Sequence, residues 1–199
     1  PGGLNDRELL AAAQLACQRQ VWDRCINTSE RTTAVADYRQ RYPMPHKAEV
    51  LGNSQRYGAD PAYVYGLIRQ ESRFVTVARS GVGASGLMQV MPATAKWTAK
   101  KIGLTDFRPE QVYDSHTNVV LGVNYLNLAL QSFQNSKPLA AAAYNAGPGR
   151  PKRWRELGGS MEGAIWAENV PFTETRDYVK KVLANTTAYA ALISGKPQS

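Results

Sequence analysis

Glu71 is the residue in this chain whose position most invites a chemical role. It follows Ile68 by three residues and Leu67 by four, so a helix here carries its carboxylate on the apolar, core-facing stripe. Burial penalises the charged form of a carboxyl and raises its pKa. A carboxyl that keeps its proton near neutral pH can serve as a general acid. The structural alternative is a glutamate paired with Arg69, Arg73 or Arg79, because acids are rarely buried without a partner or a task. Residues 72 to 105 contain no Asp or Glu. Glycosidases with paired carboxylates hold them about 5 to 9.5 Å apart. Nothing local supplies the second one, although Glu168 or Glu174 could fold back. A lone acid suits a reaction in which the substrate supplies its own nucleophile.

Two further segments offer polar groups. Gly81-Val82-Gly83-Ala84-Ser85-Gly86 has the spacing of a dinucleotide-binding loop. Its third glycine should open a long helix, but Pro92 comes only six residues later, and the segment before Asp106 is no buried strand. The glycines more simply make a loop whose backbone comes close to something. Ser85 lacks a nucleophile-elbow motif. After the loop, Gln89 sits between Met88 and Met91 like a polar hook in an apolar cleft, or as a solvent-facing glutamine beside core methionines. Tyr144 and Asn145 end an alanine-rich stretch. Their bland readings are a helix-end phenol in water and a helix-terminating residue.

The elements that must hold these groups read as helices. Asp60 is a good N-cap and Pro61 a good first residue for a helix through Tyr63, Val64, Leu67, Ile68, Glu71 and Phe74. Pro92 starts another that ends near Gly103. Asn118 to Phe133 has helical apolar spacing. Pro138 starts the alanine helix, which Asn145-Ala146-Gly147 ends. The last helix runs from Thr173, an N-cap candidate, to Ile193. Phe74 to Ala78 is the one strand candidate. Residues 4 to 42 read as a helical hairpin turning at Arg19-Gln20. Cys17 and Cys25 then face each other and could be bridged. On one continuous helix they would stand about 12 Å apart, too far for a disulfide. Two small buried thiols are the equal alternative. The prolines of Tyr42-Pro43-Met44-Pro45 favour extended backbone and mark a boundary. It divides residues 1–44, which must pack on the remainder of the chain or belong to something larger, from a main domain over 45–199.

The whole chain has 199 residues and a net charge of +8, a size that needs no metal or disulfide to hold a core. Two histidines and two cysteines are too few and too dispersed for a zinc site, and no cofactor is expected. No apolar run approaches the roughly 20 residues of a membrane span. The start at Pro1 carries no signal-peptide pattern. The positive charge invites polyanions, but the basic residues are scattered without a basic helix or aromatic interleaving. A nucleic-acid partner is therefore not expected.

Taken in order, these segments resemble the soluble lytic transglycosylase family of bacterial cell-wall enzymes, with its goose-type lysozyme fold. Ile68-Arg69-Gln70-Glu71-Ser72-Arg73-Phe74 resembles its "ES" motif, and Gly83 to Pro92 its "GLMQ" motif. Ala142 to Gly149 resembles its "AYNAG" motif, and Val170 to Val179 its closing "PF-ETR-YV" motif. The match covers residues 48 to 190. The first 44 residues resemble the end of the helical superhelix that precedes the catalytic domain in large members. The resemblance implies a mainly α, lysozyme-like catalytic domain behind that short helical segment. It implies peptidoglycan glycan strands as substrate, cut between N-acetylmuramic acid and N-acetylglucosamine to leave a 1,6-anhydromuramic end. By the same match, Glu71 protonates the glycosidic oxygen and then takes the proton of the muramic C6 hydroxyl. Ser80, Gln89, Met91, Tyr144, Asn145 and Glu174 map to the substrate cleft. Glu174 also suits a bland role as an acid at a helix N-terminus. A periplasmic address and a monomer go with the family. The alternatives are a hydrolytic goose-type lysozyme using water and a second carboxylate, and a non-catalytic glycan-binding module.

Overall fold

The computed structural model describes residues 3–158 and 161–196. It is mainly helical. Helices α1 (Asp6–Gln18) and α2 (Trp22–Ser29) form the expected hairpin, and Gln20 takes a positive φ in the turn. Cys17 and Cys25 are bridged across it, with Cα atoms 5.0 Å apart. Leu9 and Ala13 of α1 are buried, whereas Leu4 and Leu15 of the same predicted stripe are about half exposed. After the short α3 (Tyr38–Arg41), the segment Pro43-Met44-Pro45 leads into α4 (Lys47–Tyr57).

Helix α5 (Pro61–Ser72) begins as its sequence predicts. The Asp60 side chain accepts from the amide of Ala62, and Pro61 opens the first turn. The helix is buried from Ala62 to Arg69. Its length lies against the long C-terminal helix α11 (Thr173–Ser194). A Cβ at Gly66 would meet Thr186 Oγ1 at 2.8 Å and the Thr186 amide at 2.9 Å, so glycine is what lets these two helices approach. Tyr65 of α5 stacks on Tyr189 of α11 at 5.1 Å. Their hydroxyls donate to the carbonyls of Pro45 and Pro43. The proline segment between the two parts of the chain is thus pinned to the core rather than left as a free linker.

Helices α6 (Pro92–Lys101), α7 (Ser115–Ser132) and α8 (Lys137–Ala146) complete the core, with a single 3-10 turn at Pro109–Tyr113 before α7. Gly147 closes α8 with a positive φ. Helices α9 (Gly149–Gly158) and α10 (Gly163–Glu168), like α4, have no counterpart among the elements expected from the sequence.

Two expectations are corrected. Phe74 to Ala78 is not a strand: Arg73 and Phe74 both have positive φ, the segment runs in turns, and Val77 points to solvent. Its alternating apolar residues have no strand to pair with, and only isolated bridges, Arg79 with Ser85 and Ser85 with Val90, form nearby. Thr173 is the first residue of α11 rather than its cap; Phe172 holds that position and offers no side-chain acceptor. Among the described residues, no helix is long and apolar enough to cross a membrane.

The packing of α5 on α11 makes a specific demand. Gly66→Ala must push α11 away or distort α5, and overpacking of this kind costs about 1–3 kcal/mol. The expected outcome is a lower midpoint in chemical denaturation at unchanged slope, with activity falling as Glu71 moves relative to α11.

Candidate active site

Glu71 lies in the last turn of α5, one residue before its end. It lines a depression of 370 Å³ together with Gln70, Arg73, Ala78, Arg79 and Gln89, and with Asp23 and Asn27 from α2. None of the three candidate arginines pairs with it. Arg69 bonds Glu30, Asn185 and the carbonyl of Arg41. Arg73 also faces Glu30, and Arg79 lies over the Tyr113 ring at 4.2 Å. The hydrogen bond that Glu71 does receive comes from Tyr178 of α11, whose hydroxyl donates to Oε1 at 2.5 Å. Burial pushes the Glu71 carboxyl up to about 7, and the Tyr178 hydrogen bond opposes part of that rise. Burial, and next the negative charge of Glu71, hold the phenols of Tyr178 and Tyr144 well above their ordinary range. Both therefore stay neutral donors.

The residue after Glu71 organises the neighbouring loop. Ser72 Oγ donates to the carbonyl of Leu87 at 2.8 Å and accepts from the amide of Phe74. From the other side, the fully buried Asn118 of α7 accepts from the amide of Met88 and donates to the carbonyls of Ser85 and Val112. Gly86, with φ +77°, lies so close to the Asn118 amide that a Cβ there would collide with it. This is the close backbone approach that the glycine loop implied. Tyr144, at the end of α8, donates to the carbonyl of Met88 at 2.8 Å, so its hydroxyl is not a free helix-end group in water. Gln89, with φ +46°, donates through Nε2 to the carbonyls of Ala78 and Gly86. Those two acceptors determine which end of the amide is left for a ligand, namely the acceptor Oε1.

The remaining predicted residues do not all gather at Glu71. Asn145 and Glu174 line a second depression of 530 Å³, with Arg150 and Phe172. Asn145 Oδ1 accepts from the buried Thr175, which ties the end of α8 to the start of α11. Ser80 Oγ accepts from the amide of Ala84 within its own loop, and Met91 stands at the start of α6; neither lines either depression. A further hollow of 810 Å³ between α7, α8, α9 and α10 contains no predicted site residue. Of the distant acids, Glu168 pairs with Lys180 at 2.6 Å. The carboxylate that does share the Glu71 depression is Asp23, from the segment assigned to the other side of the proline boundary. Tyr178, Asn118 and Asp23 were missed as site residues. Tyr178 had a weak signal, since it stands on the apolar stripe of its helix. Asp23 had none, because only tertiary packing brings it near Glu71.

Removing the Tyr178 hydroxyl takes away a bond that favours the carboxylate. Tyr178→Phe should raise the Glu71 midpoint further above 7 and move the alkaline limb of the pH–activity profile upward. A pH-rate profile over the range 5 to 10 checks the direction.

Two family models match the chain: the Transglycosylase SLT domain at residues 50–166, and the soluble lytic transglycosylase helical domain at residues 169–198. The second match falls over α11 rather than over the first 44 residues. The soluble lytic murein transglycosylase of Salmonella typhimurium is 34% identical over 186 residues, which is 92% of this chain and 29% of that protein. The Escherichia coli K12 protein of the same name is 34% identical over 187 residues, 93% of this chain and 29% of its own length. A solved structure of an inactive mutant of lytic transglycosylase Slt from Pseudomonas aeruginosa has a TM-score of 0.89 at 36% identity, covering 98% of this chain and 32% of that one. The 70 kDa soluble lytic transglycosylase of Escherichia coli also gives 0.89, at 33% identity and the same coverage. The chain thus spans less than a third of the length of these relatives. The fold is the mainly α, lysozyme-like one expected. The family-model match, the relatives at 34% identity and the shared fold together make this chain a member of the soluble lytic transglycosylase family.

Proposed function

We propose that this chain cleaves the β-1,4 bond between N-acetylmuramic acid and N-acetylglucosamine in peptidoglycan without consuming water, with Glu71 as its general acid and base. The observation that carries this reading is a buried carboxyl held near pH 7 with no cation paired to it. Protonated Glu71 gives its proton to the glycosidic oxygen as the bond to C1 breaks. The N-acetyl group of the substrate supports the oxocarbenium-like state, as in other substrate-assisted glycosidases. The C6 hydroxyl oxygen then bonds to C1, and its proton passes to the Glu71 carboxylate. The acid is regenerated and a 1,6-anhydro ring closes the product.

The rest of the site suits this sequence of events. Tyr178 stays neutral and donates to Glu71, which steadies the carboxylate between the two proton transfers. Gln89 lines the same depression, and with its Nε2 committed to two carbonyls its Oε1 is the acceptor suited to a sugar hydroxyl or acetamido N–H. Tyr144 holds the loop at Met88, and Asn145 with Glu174 lines the neighbouring depression as a continuation of the glycan path. Residues 1–44 supply one wall, and residues 45–199 carry the catalytic machinery. The chain works as a monomer in the periplasm, where the wall polymer lies.

One observation favours a second reading. Asp23 shares the depression with Glu71, and a second carboxylate able to activate water would make the enzyme a hydrolase. Mass spectrometry of muropeptides released from purified peptidoglycan separates the two. Anhydro ends from the wild type, and from Asp23→Asn as well, support the proposed chemistry. Reducing ends that disappear in Asp23→Asn would replace it with hydrolysis. Glu71→Gln should release nothing above background while remaining folded.

Glu71→Gln should also change stability in a pH-dependent way. The raised folded-state midpoint means that Glu71 favours folding fully below about pH 4.3, its ordinary unfolded value, and that this contribution is lost as pH rises through about 7. The variant lacks this loss. It should match the wild type near pH 4 and exceed it by about 3 kcal/mol at pH 8, as the difference of the two midpoints implies. Urea denaturation at the two pH values measures the effect.

A further inference from the structure

Two arginines adjoin Glu71 in sequence. Arg69 stands two residues before Glu71 and Arg73 two residues after it. Both end on another carboxylate. Glu30, the residue immediately after α2, places Oε1 2.7 Å from Arg69 Nη2 and Oε2 3.5 Å from Arg73 Nη2. Each of its oxygens is turned to one guanidinium. We propose that Glu30 is a positioning residue of the active site: it holds Arg69 and Arg73 on the N-terminal segment and so leaves Glu71 without a cationic partner. The inference rests on Glu71 being the acid.

The two arginines differ in how much they depend on Glu30. Arg69 is buried, donates to Asn185 Oδ1 and to the carbonyl of Arg41, each at 2.9 Å, and lies over the Tyr42 ring at 4.4 Å. It has no room to swing. Arg73 is nearly half exposed, and among the described residues its side chain has no ion pair or hydrogen bond besides Glu30. It already lines the Glu71 depression. Loss of Glu30 therefore frees Arg73 in particular. A guanidinium within about 4–6 Å of a carboxylate lowers its pKa by about 1–3, enough to ionise the acid at neutral pH.

The other groups around Glu71 do not perform this task. Tyr178 on α11 and Tyr144 on α8 are neutral. Asp23 on α2 is a like charge, whose nearest cation is Arg24 at 3.7 Å. Arg79, after α5, is engaged with the Tyr113 ring. Arg73 is the free end of the network, and Glu30 restrains it. The N-terminal segment, assigned from sequence to a separate unit, thereby takes part in setting the acid.

The test is a carbon-13 NMR titration of the Glu71 carboxyl in the full chain, with the signal assigned by its absence from Glu71→Gln. In the wild type the midpoint is expected near 7. In Glu30→Gln it should fall by about one pH unit or more, and the alkaline limb of the pH–activity profile should fall with it. Adding Arg73→Gln to Glu30→Gln should restore the midpoint, which a merely structural role for Glu30 would not do. An unmoved midpoint in a cooperatively folded Glu30→Gln overturns the inference and leaves Glu71 as the acid. A wild-type midpoint near 4.5 instead overturns the reading of Glu71 itself. Should Glu30→Gln not fold, Glu30→Asp keeps a charge for Arg69 and withdraws it from the longer contact to Arg73. The same downward shift is expected there, and its absence overturns the inference equally.

Discussion

A carboxyl keeps its proton at neutral pH only where burial outweighs every interaction that favours its charge. Much of this structure is arranged around that condition at Glu71. The close approach of α5 and α11 at Gly66 buries the helix that carries Glu71 almost to its end. The same approach brings Tyr178 to the carboxyl as a neutral donor. Without that contact there would be neither the burial nor the single hydrogen bond that moderates it. The arginines of the same turn are drawn off to Glu30 and Asn185. The balance is electrostatic, but the packing of two helices maintains it.

The loop opposite the acid is held by a different device. Backbone bonds within the loop, such as the pair between Ser85 and Val90, are supplemented by side chains from elsewhere. Asn118 of α7 takes two loop groups, the amide of Met88 and the carbonyl of Ser85, while Ser72 takes one from the end of α5 and Tyr144 takes one from the end of α8. Three helices thus agree on the position of residues 85 to 88. Gln89 comes directly after, with its amide nitrogen committed to two carbonyls. A polar group so constrained presents one face to a ligand with little freedom to lose, which favours orientation of substrate over adaptability.

The N-terminal hairpin is more than a neighbour. Its disulfide joins α1 to α2, and α2 leads directly to Glu30. Asp23 and Asn27 of α2 line the depression in front of Glu71. The tyrosine hydroxyls on Pro43 and Pro45 fasten the intervening segment to the core. A boundary drawn at these prolines separates two runs of sequence, but it passes through one site.

Local patterns determined a good deal on their own. The Asp60-Pro61 start, the Pro138 start and the Gly147 stop were legible because caps, proline and positive-φ glycine act through nearest neighbours. Glu71 stood out because a carboxylate on an apolar stripe is anomalous by spacing alone, and the four motifs around it pointed to the family. Phe74 to Ala78 misled for the same reason: alternation predicts a strand only if a partner strand exists, and there is none among the described residues. Helices α9 and α10, not expected from the sequence, pack against α8. What only the tertiary structure decided is the company Glu71 keeps. Tyr178 comes from 107 residues away, Asp23 from an earlier helix, and the arginines adjoining Glu71 in sequence are turned elsewhere. Sequence spacing tells which groups lie on one face of one helix. A pKa depends on every group within a few ångströms, and those groups are brought there by the packing of helices distant in the chain.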